Sequence, residues 1–302
     1  MRLIFGWIFI LNTFFASAQS DSIVYSLYRI DLDSIVVSAT RSGFSVEEFV
    51  NLVKEDASFH EAFNNIRTLS YSSEYDIKMY NQKQREKASY HSNSQQYSDG
   101  NCRTAKIISE VVAGNFYKRK KNLRYYTAKM YDRIFYTHGK VCESEREESN
   151  KSRGMEKHVA ELKKLIFSPG QKADVPMIGK KTAIFDEKMA PLYDMSISSK
   201  KYKSAIDCYV FLAKVKPEIR EGKTVIKYLE TYFDKTNFQV IGRNYHLRYS
   251  GSLFDFDVKI DIKLKKLGDK YLPELIQYDG NWDVPTKKRE TAKFSIRFFD
   301  YH

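Results

Sequence analysis

Little in this sequence invites catalysis. There is no G-x-S-x-G elbow, no H-E-x-x-H pair, no C-x-x-C and no glycine-rich phosphate loop. The 302 residues include six histidines, all scattered, and three cysteines. With no nucleophile–base motif, the chain reads as a non-catalytic protein with no cofactor and no metal site. Long apolar runs are also scarce. Beyond residue 18 none approaches the ~20 residues that a membrane helix needs.

Three weaker constellations each have a plainer reading. His158 and Glu161 would share a helix face at i, i+3, where a metal could bind, but a solvated pair needs no further ligands. His138 precedes Cys142 by four residues, a potential thiol–base couple. On a strand that spacing is ~13 Å, too long for proton transfer unless Gly139 turns the chain. Asp255 and Asp257 could act as paired carboxylates, but their alternation with Lys259 and Lys263 suits a solvated ladder.

The N-terminus has the three parts of a secretory signal. Arg2 is basic, Leu3 to Phe15 is mostly apolar, and Ala16-Ser17-Ala18 precedes Gln19. Residues 1–18 are therefore expected to be cleaved on export, to the periplasm or the periphery of an outer membrane. Removing them takes away one Arg and no acid, so the net charge falls from +12 to +11. A basic exported protein meets anionic lipid surfaces rather than nucleic acid. Lysines that only solubilise strand faces are the alternative. Three cysteines in an oxidising compartment allow at most one disulfide and leave one thiol. Cys102–Cys142 is the pair expected, with inert buried thiols as the alternative and Cys208 left over.

Aromatic residues make up 15 % of the chain, mainly Tyr and Phe, which suits strands. Residues 19–43 read as a polar leader. Its phrase DSIVVSATRSG resembles the segment ahead of the plug in TonB-dependent receptors, although the chain is too short for a receptor barrel. Residues 44–142 open with helices: Ser45 and Glu48 make a capping box, and Phe49, Val53, Phe59 and Phe63 fall at helical spacing. The stretch from Leu69 to Cys142 then reads as strands, including the Tyr-rich run at 124–141. Residues 143–203 read as a charged loop, a short helix at 158–167, and an irregular insertion with Pro176, Gly179 and Pro191. Residues 204–302 read as an antiparallel half. Its run LFDFDVKIDIKLKKL places Phe254, Phe256, Val258, Ile260, Ile262 and Leu264 on one face, with charge on the other.

This element order, helices followed by long amphipathic strands, resembles the lipoprotein-carrier (Lol-type) fold over residues 44–142 and 204–302. The phrase KTVIKYLETYFDKTNFQVIGRNYHLRY is similar to that family's repeated hairpins. The resemblance implies an α+β fold: a large curved antiparallel sheet, an unclosed barrel, with short N-terminal helices packed on its concave face. It also implies a pocket for acyl chains. The leading expectation is thus an exported envelope protein that binds an acyl chain, a lipoprotein or an apolar peptide. Its apolar ligand face would be Phe256, Val258, Ile260, Ile262, Phe294, Ile296 and Phe298. The alternative is a structural or interaction protein of an outer-membrane complex with a closed core. Helices this short should leave part of the face open, unless residues 171–203 fold over it.

Overall fold

The computed structural model describes residues 46–142, 165–175, 178–251, 255–283 and 289–302, all within one compact unit, residues 37–302. The expected signal peptide and leader, Ser45, the expected charged loop, the pair His158 and Glu161, and Phe254 lie outside the described residues.

The described elements are three helices, α1 (Val46–Glu55), α2 (Ser58–Asn65) and α3 (Tyr126–Phe135), a helical turn at 165–167, and eleven strands. The strands are β1 (Tyr71–Tyr80), β2 (Glu86–Ser98), β3 (Cys102–Gly114), β4 (Val141–Cys142), β5 (Tyr193–Tyr202), β6 (Ile206–Val215), β7 (Ile226–Asp234), β8 (Val240–Ser250), β9 (Asp255–Leu267), β10 (Lys270–Asp283) and β11 (Glu290–Phe299). They form one antiparallel sheet in the order β4-β3-β2-β1-β11-β10-β9-β8-β7-β6-β5. Two meanders are thus joined where β1 pairs with β11, and Ser70 and His302 exchange backbone hydrogen bonds at that seam. The sheet does not close on itself.

Alternation decides which face is covered. In β9, Phe256, Val258, Ile260, Ile262 and Leu264 are all buried, and the residues between them are half-buried or exposed. The strand register extends this face across the sheet. One cross-strand row runs Met195, Ala213, Leu229, Tyr245, Ile260, Tyr278, Phe294, Ile77, Tyr90, Val112. The covered face is concave. In a flat sheet β8 and β1 would lie ~19 Å apart. Yet Tyr245 of β8 donates to the Ile166 carbonyl and Tyr75 of β1 donates to that of Phe135. The adjacent rings of Phe135 and Phe167 are only 6.3 Å apart. The fold is therefore an unclosed, curved antiparallel sheet with short helices on its inner face.

Two segments and one expectation differ from the sequence reading. Residues 126–135, read as strand from their Tyr and Phe content, form α3. Thr127, Ala128, Met130, Tyr131 and Phe135 recur at helical spacing and are the buried ones. Composition alone concealed this 3.6-residue period. Residues 193–202, read as irregular, form the edge strand β5, which pairs with β6 along its length. Its polar sequence reflects its position at an edge, where one side needs no core packing. The expected opening is also absent over the seven face residues, because α3 and the 165–167 turn add cover that the N-terminal helices could not.

Candidate functional site

The inner face is held under its cover by aromatic contacts and a few polar ones. Phe63 of α2 meets Phe167 at 4.7 Å and Phe135 at 6.3 Å. Tyr131 of α3 lies 4.5 Å from Phe294 and 4.9 Å from Tyr278. The first turn of α3 leaves backbone N–H groups without helical partners. Those of Tyr126 and Thr127 donate to the Glu290 carboxylate at 2.8 and 2.9 Å, as does the Thr127 hydroxyl at 3.0 Å. A carboxylate at a helix N-terminus is favourable for charge as well as for hydrogen bonding. Glu290 opens β11, so α3 is pinned to the sheet by a residue far away in sequence.

The structure gathers the seven expected face residues on adjacent strands. Phe256, Val258, Ile260 and Ile262 lie along β9, and Phe294, Ile296 and Phe298 along β11, with Ile276 and Tyr278 of β10 between them. All seven are 0–4 % exposed. Phe256 packs on Trp282 at 5.1 Å, and Phe298 packs on Tyr71 at 5.6 Å.

An arginine, unforeseen from sequence, lies in this apolar floor. Arg243 of β8 is paired across to Thr231 on one side and to Ile262 on the other. Its Nε donates to Thr231 Oγ1 at 3.1 Å and its Nη1 to the Phe167 carbonyl at 3.4 Å. Its guanidinium stacks over Phe59 at 4.2 Å, and Nη2 lies 3.6 Å from Asp56 Oδ2. Burial lowers its pKa to about 10, opposed by the Asp56 charge, so it stays cationic at neutral pH. Asp56 Oδ1 accepts from the Ser58 N–H and hydroxyl, but Oδ2 is buried and accepts no hydrogen bond. The signal was available: Arg243 keeps step at i+2 with Tyr245, Leu247 and Tyr249, all buried.

Beside this ion pair, α1 and the β7–β8 hairpin enclose a pocket of about 220 Å³ lined by Phe49, Leu52, Val53, Glu55, Asp56, Phe233 and Phe238. Leu52 is exposed at its rim. The pocket is half open to solvent, and its volume is of the order that a ring or a short alkyl segment fills, since an apolar cavity of ~150 Å³ holds a benzene-sized group. Phe49 also meets Phe233 and Tyr209 edge-on.

Two of the three weak constellations take ordinary roles, and the third, His158 and Glu161, lies outside the described residues. Cys142 is bonded to Cys102, so it is no nucleophile, and His138 instead contacts Asp132 at 2.7 Å. Asp255 pairs with Arg289 at 2.8 Å, and Asp257 with His246 at 2.7 Å, across the outer face. Their partners come from neighbouring segments and not from the Lys residues of their own strand. Cys208 is buried, and burial raises its thiol pKa, which makes it a poor nucleophile. Among the described residues no group of three or more His, Cys, Asp or Glu could hold a metal ion.

No family model matches the chain, and no curated protein matches it. Three solved structures are similar to it. A domain named for outer membrane lipoprotein sorting, from Vibrio parahaemolyticus, is 8 % identical with a TM-score of 0.27, over 85 % of this chain and 90 % of that one. A LolA superfamily protein from Nitrosomonas europaea is 9 % identical with a TM-score of 0.23, over 81 % and 91 %. A DUF1329 family protein from Desulfovibrio piger is 12 % identical with a TM-score of 0.26, over 82 % and 91 %. The first two bear the kind of name that the element order resembles. At these scores the reading of function rests on the residues of the site itself.

Proposed function

We propose that the chain is an exported envelope carrier, non-catalytic, whose concave face binds an acyl chain or the lipid part of a lipoprotein. The observation that supports this reading most is the apolar pocket at α1. It is lined by α1 and by Phe233 of β7, which meets the α1 residue Phe49 edge-on. A ligand entering there would displace α1 and lie against Phe233 and the face that includes Phe256, Val258, Ile260, Ile262, Phe294, Ile296 and Phe298. The signal-like N-terminus supports a location in the periplasm or at the outer-membrane periphery for such a carrier, with an anionic membrane as its second expected partner.

One observation favours a second reading, a structural or interaction protein with a closed core. The seven face residues are 0–4 % exposed, and sealed apolar faces are ordinarily plain core. Detergent-free purification followed by lipid extraction and mass spectrometry separates the two. The carrier reading expects co-purified acyl lipid and near one-to-one heat on titration with palmitate. Leu52→Glu, a rim substitution that the fold should tolerate, should weaken palmitate binding about tenfold or more, whereas Lys259→Glu on the outer face should not. No lipid and no heat would leave the scaffold reading.

A further inference from the structure

We infer that the edge of β3 left unpaired by the described strands, with the basic loops beside it, is a docking surface for an anionic lipid bilayer. It gives a place to the membrane partner named above and rests on that part of the proposal, not on the binding of an acyl chain. Of the seven large hydrophobic side chains exposed among the described residues, four fall within six residues of β3: Ile107, Ile108, Val111 and Val112. Val111 is 68 % and Ile108 62 % exposed. They occupy both faces of the strand. Ile107 and Val112 are paired across to Ser94 and Tyr90 on the inner face, Val111 to His91 on the outer, and Ile108 lies in a bulge. Among the described strands, β4 pairs with this edge at Cys102 and Arg103 alone. The opposite edge, β5, exposes no large hydrophobic residue and carries Lys200 and Lys201. Clustered exposed aliphatic surface marks an interaction site.

The charge beside this patch identifies the partner. Residues 81–88 and 111–125 contain eight Lys or Arg and one acid, Glu86. All eight cations are exposed; Glu110 pairs with Lys121 at 2.5 Å and accepts from the Tyr117 hydroxyl at 3.0 Å. The two loops meet at the end of β3. Lys87 stands over the Tyr125 ring at 5.0 Å, and Tyr90 stacks on Phe116 at 5.2 Å. Gly114 packs so closely there that an added Cβ would lie 2.2 Å from the Lys87 carbonyl. The Lys-Arg-Lys-Lys run at 118–121 forms a tight turn, with the Lys118 N–H donating to the Asn122 carbonyl at 2.7 Å. Lys120 and Lys121 there have φ of 58° and 54°, values that ordinarily favour Gly or Asn. Their charge is thus held in a backbone shape other residues would fit better. Aliphatic side chains flanked by a rigid cluster of cations match a surface of anionic head groups over hydrocarbon. Pairing with another strand is less suited to this edge, because a bulge interrupts it and Lys106 and Glu110 lie along it.

The test is co-sedimentation with vesicles of phosphatidylcholine, with and without about 30 % phosphatidylglycerol, and sedimentation velocity of the protein alone. Binding is expected only to the anionic vesicles and should weaken with added salt. Reversing Lys118, Arg119 and Lys120 to Glu should weaken it about a hundredfold. The same change at exposed Lys214, Arg220 and Lys223, near the other edge, should cost far less. Val111→Asp should weaken binding while changing the melting temperature little, since the Val111 side chain is mostly exposed. Equal binding to neutral vesicles, or equal loss from the two charge reversals, would overturn the inference. So would a wild-type dimer that Val111→Asp splits and that ignores vesicles, since the edge would then belong to a second copy. Carrier function would be untouched by any of these, because it is read separately from palmitate binding.

Discussion

Tyr131 lies between Tyr278 and Phe294, its buried hydroxyl close to that of Tyr278 but making no well-formed hydrogen bond. A buried unmet hydroxyl costs ~1–3 kcal/mol in desolvation. Tyr131→Phe keeps the ring contacts and removes that cost, so it should raise stability by about 1 kcal/mol in urea unfolding; a loss would mean the hydroxyl is bonded. Arg243 is the opposite case, a buried charge with one counter-charge. Asp56→Ala strands it and should cost ~3 kcal/mol. In a double-mutant cycle with Arg243→Leu, the double variant should be at least ~1 kcal/mol better than the sum of the singles. Additive losses would show that the two charges do not interact. His138 adds a pH dependence. The Asp132 carboxylate raises its pKa above the ordinary value, so the folded state binds more protons than the unfolded state. That contribution is complete below about pH 6.5 and is lost as pH rises through the folded pKa. The His138 side chain is 60 % exposed, which keeps its size well under ~1 kcal/mol. The stability advantage of wild type over His138→Gln should shrink between acid and alkaline pH, and an advantage that grew would reverse the sign.

Among the elements, β9 is the most legible and α3 the least. Strict alternation from Phe256 to Leu264 set the face of β9 correctly, because a two-residue period has one geometric meaning. Ile260→Asp should therefore unfold the protein or cost more than ~3 kcal/mol, since it buries a charge with no partner. Lys259→Ser on the outer face should change the melting temperature little. Asp261 differs from the simple exposed-charge reading. Burial raises the pKa of its carboxyl, so Asp261→Asn should be neutral or slightly stabilising, and more so as pH rises. In α3 aromatic content outweighed period, and the residue that caps it, Glu290, is 164 positions from Tyr126. No local pattern reveals a cap supplied from so far away. The same holds for the candidate site. Its seven apolar face residues were readable from alternation, whereas the pocket at α1 joins Phe49 to Phe233 and Phe238 across most of the chain. Arg243 was readable in register but hidden by its type, since a lone arginine in a strand is ordinarily placed in solvent.

At the scale of the whole molecule, the cover of the concave face is tied at both ends of one excursion. The Cys102–Cys142 disulfide spans 40 residues of sequence and encloses β3 and α3. Closing a loop of that length lowers the entropy of the unfolded chain by an amount worth about 4 kcal/mol in the chain-entropy account. The bond also anchors β4, and with it the return from α3, to the edge of the sheet. Inside the loop, α3 touches the face only through Tyr131, Phe135 and their neighbours, and Glu290 holds its N-terminus. Loosening this tie should act on the cover before it acts on the sheet, because the central strands from β11 to β6 lie outside the loop. Reduction, or Cys102→Ser with Cys142→Ser, is thus expected to lower the melting temperature while far-UV dichroism at 25 °C keeps its sheet signal. In the same variant, uptake of a hydrophobic dye should rise, and Glu290→Gln should add to that rise by weakening the α3 cap. If dye uptake follows loss of sheet signal and never precedes it, the cover and the sheet are one cooperative unit. The face would then be core, and the scaffold reading would replace the carrier one.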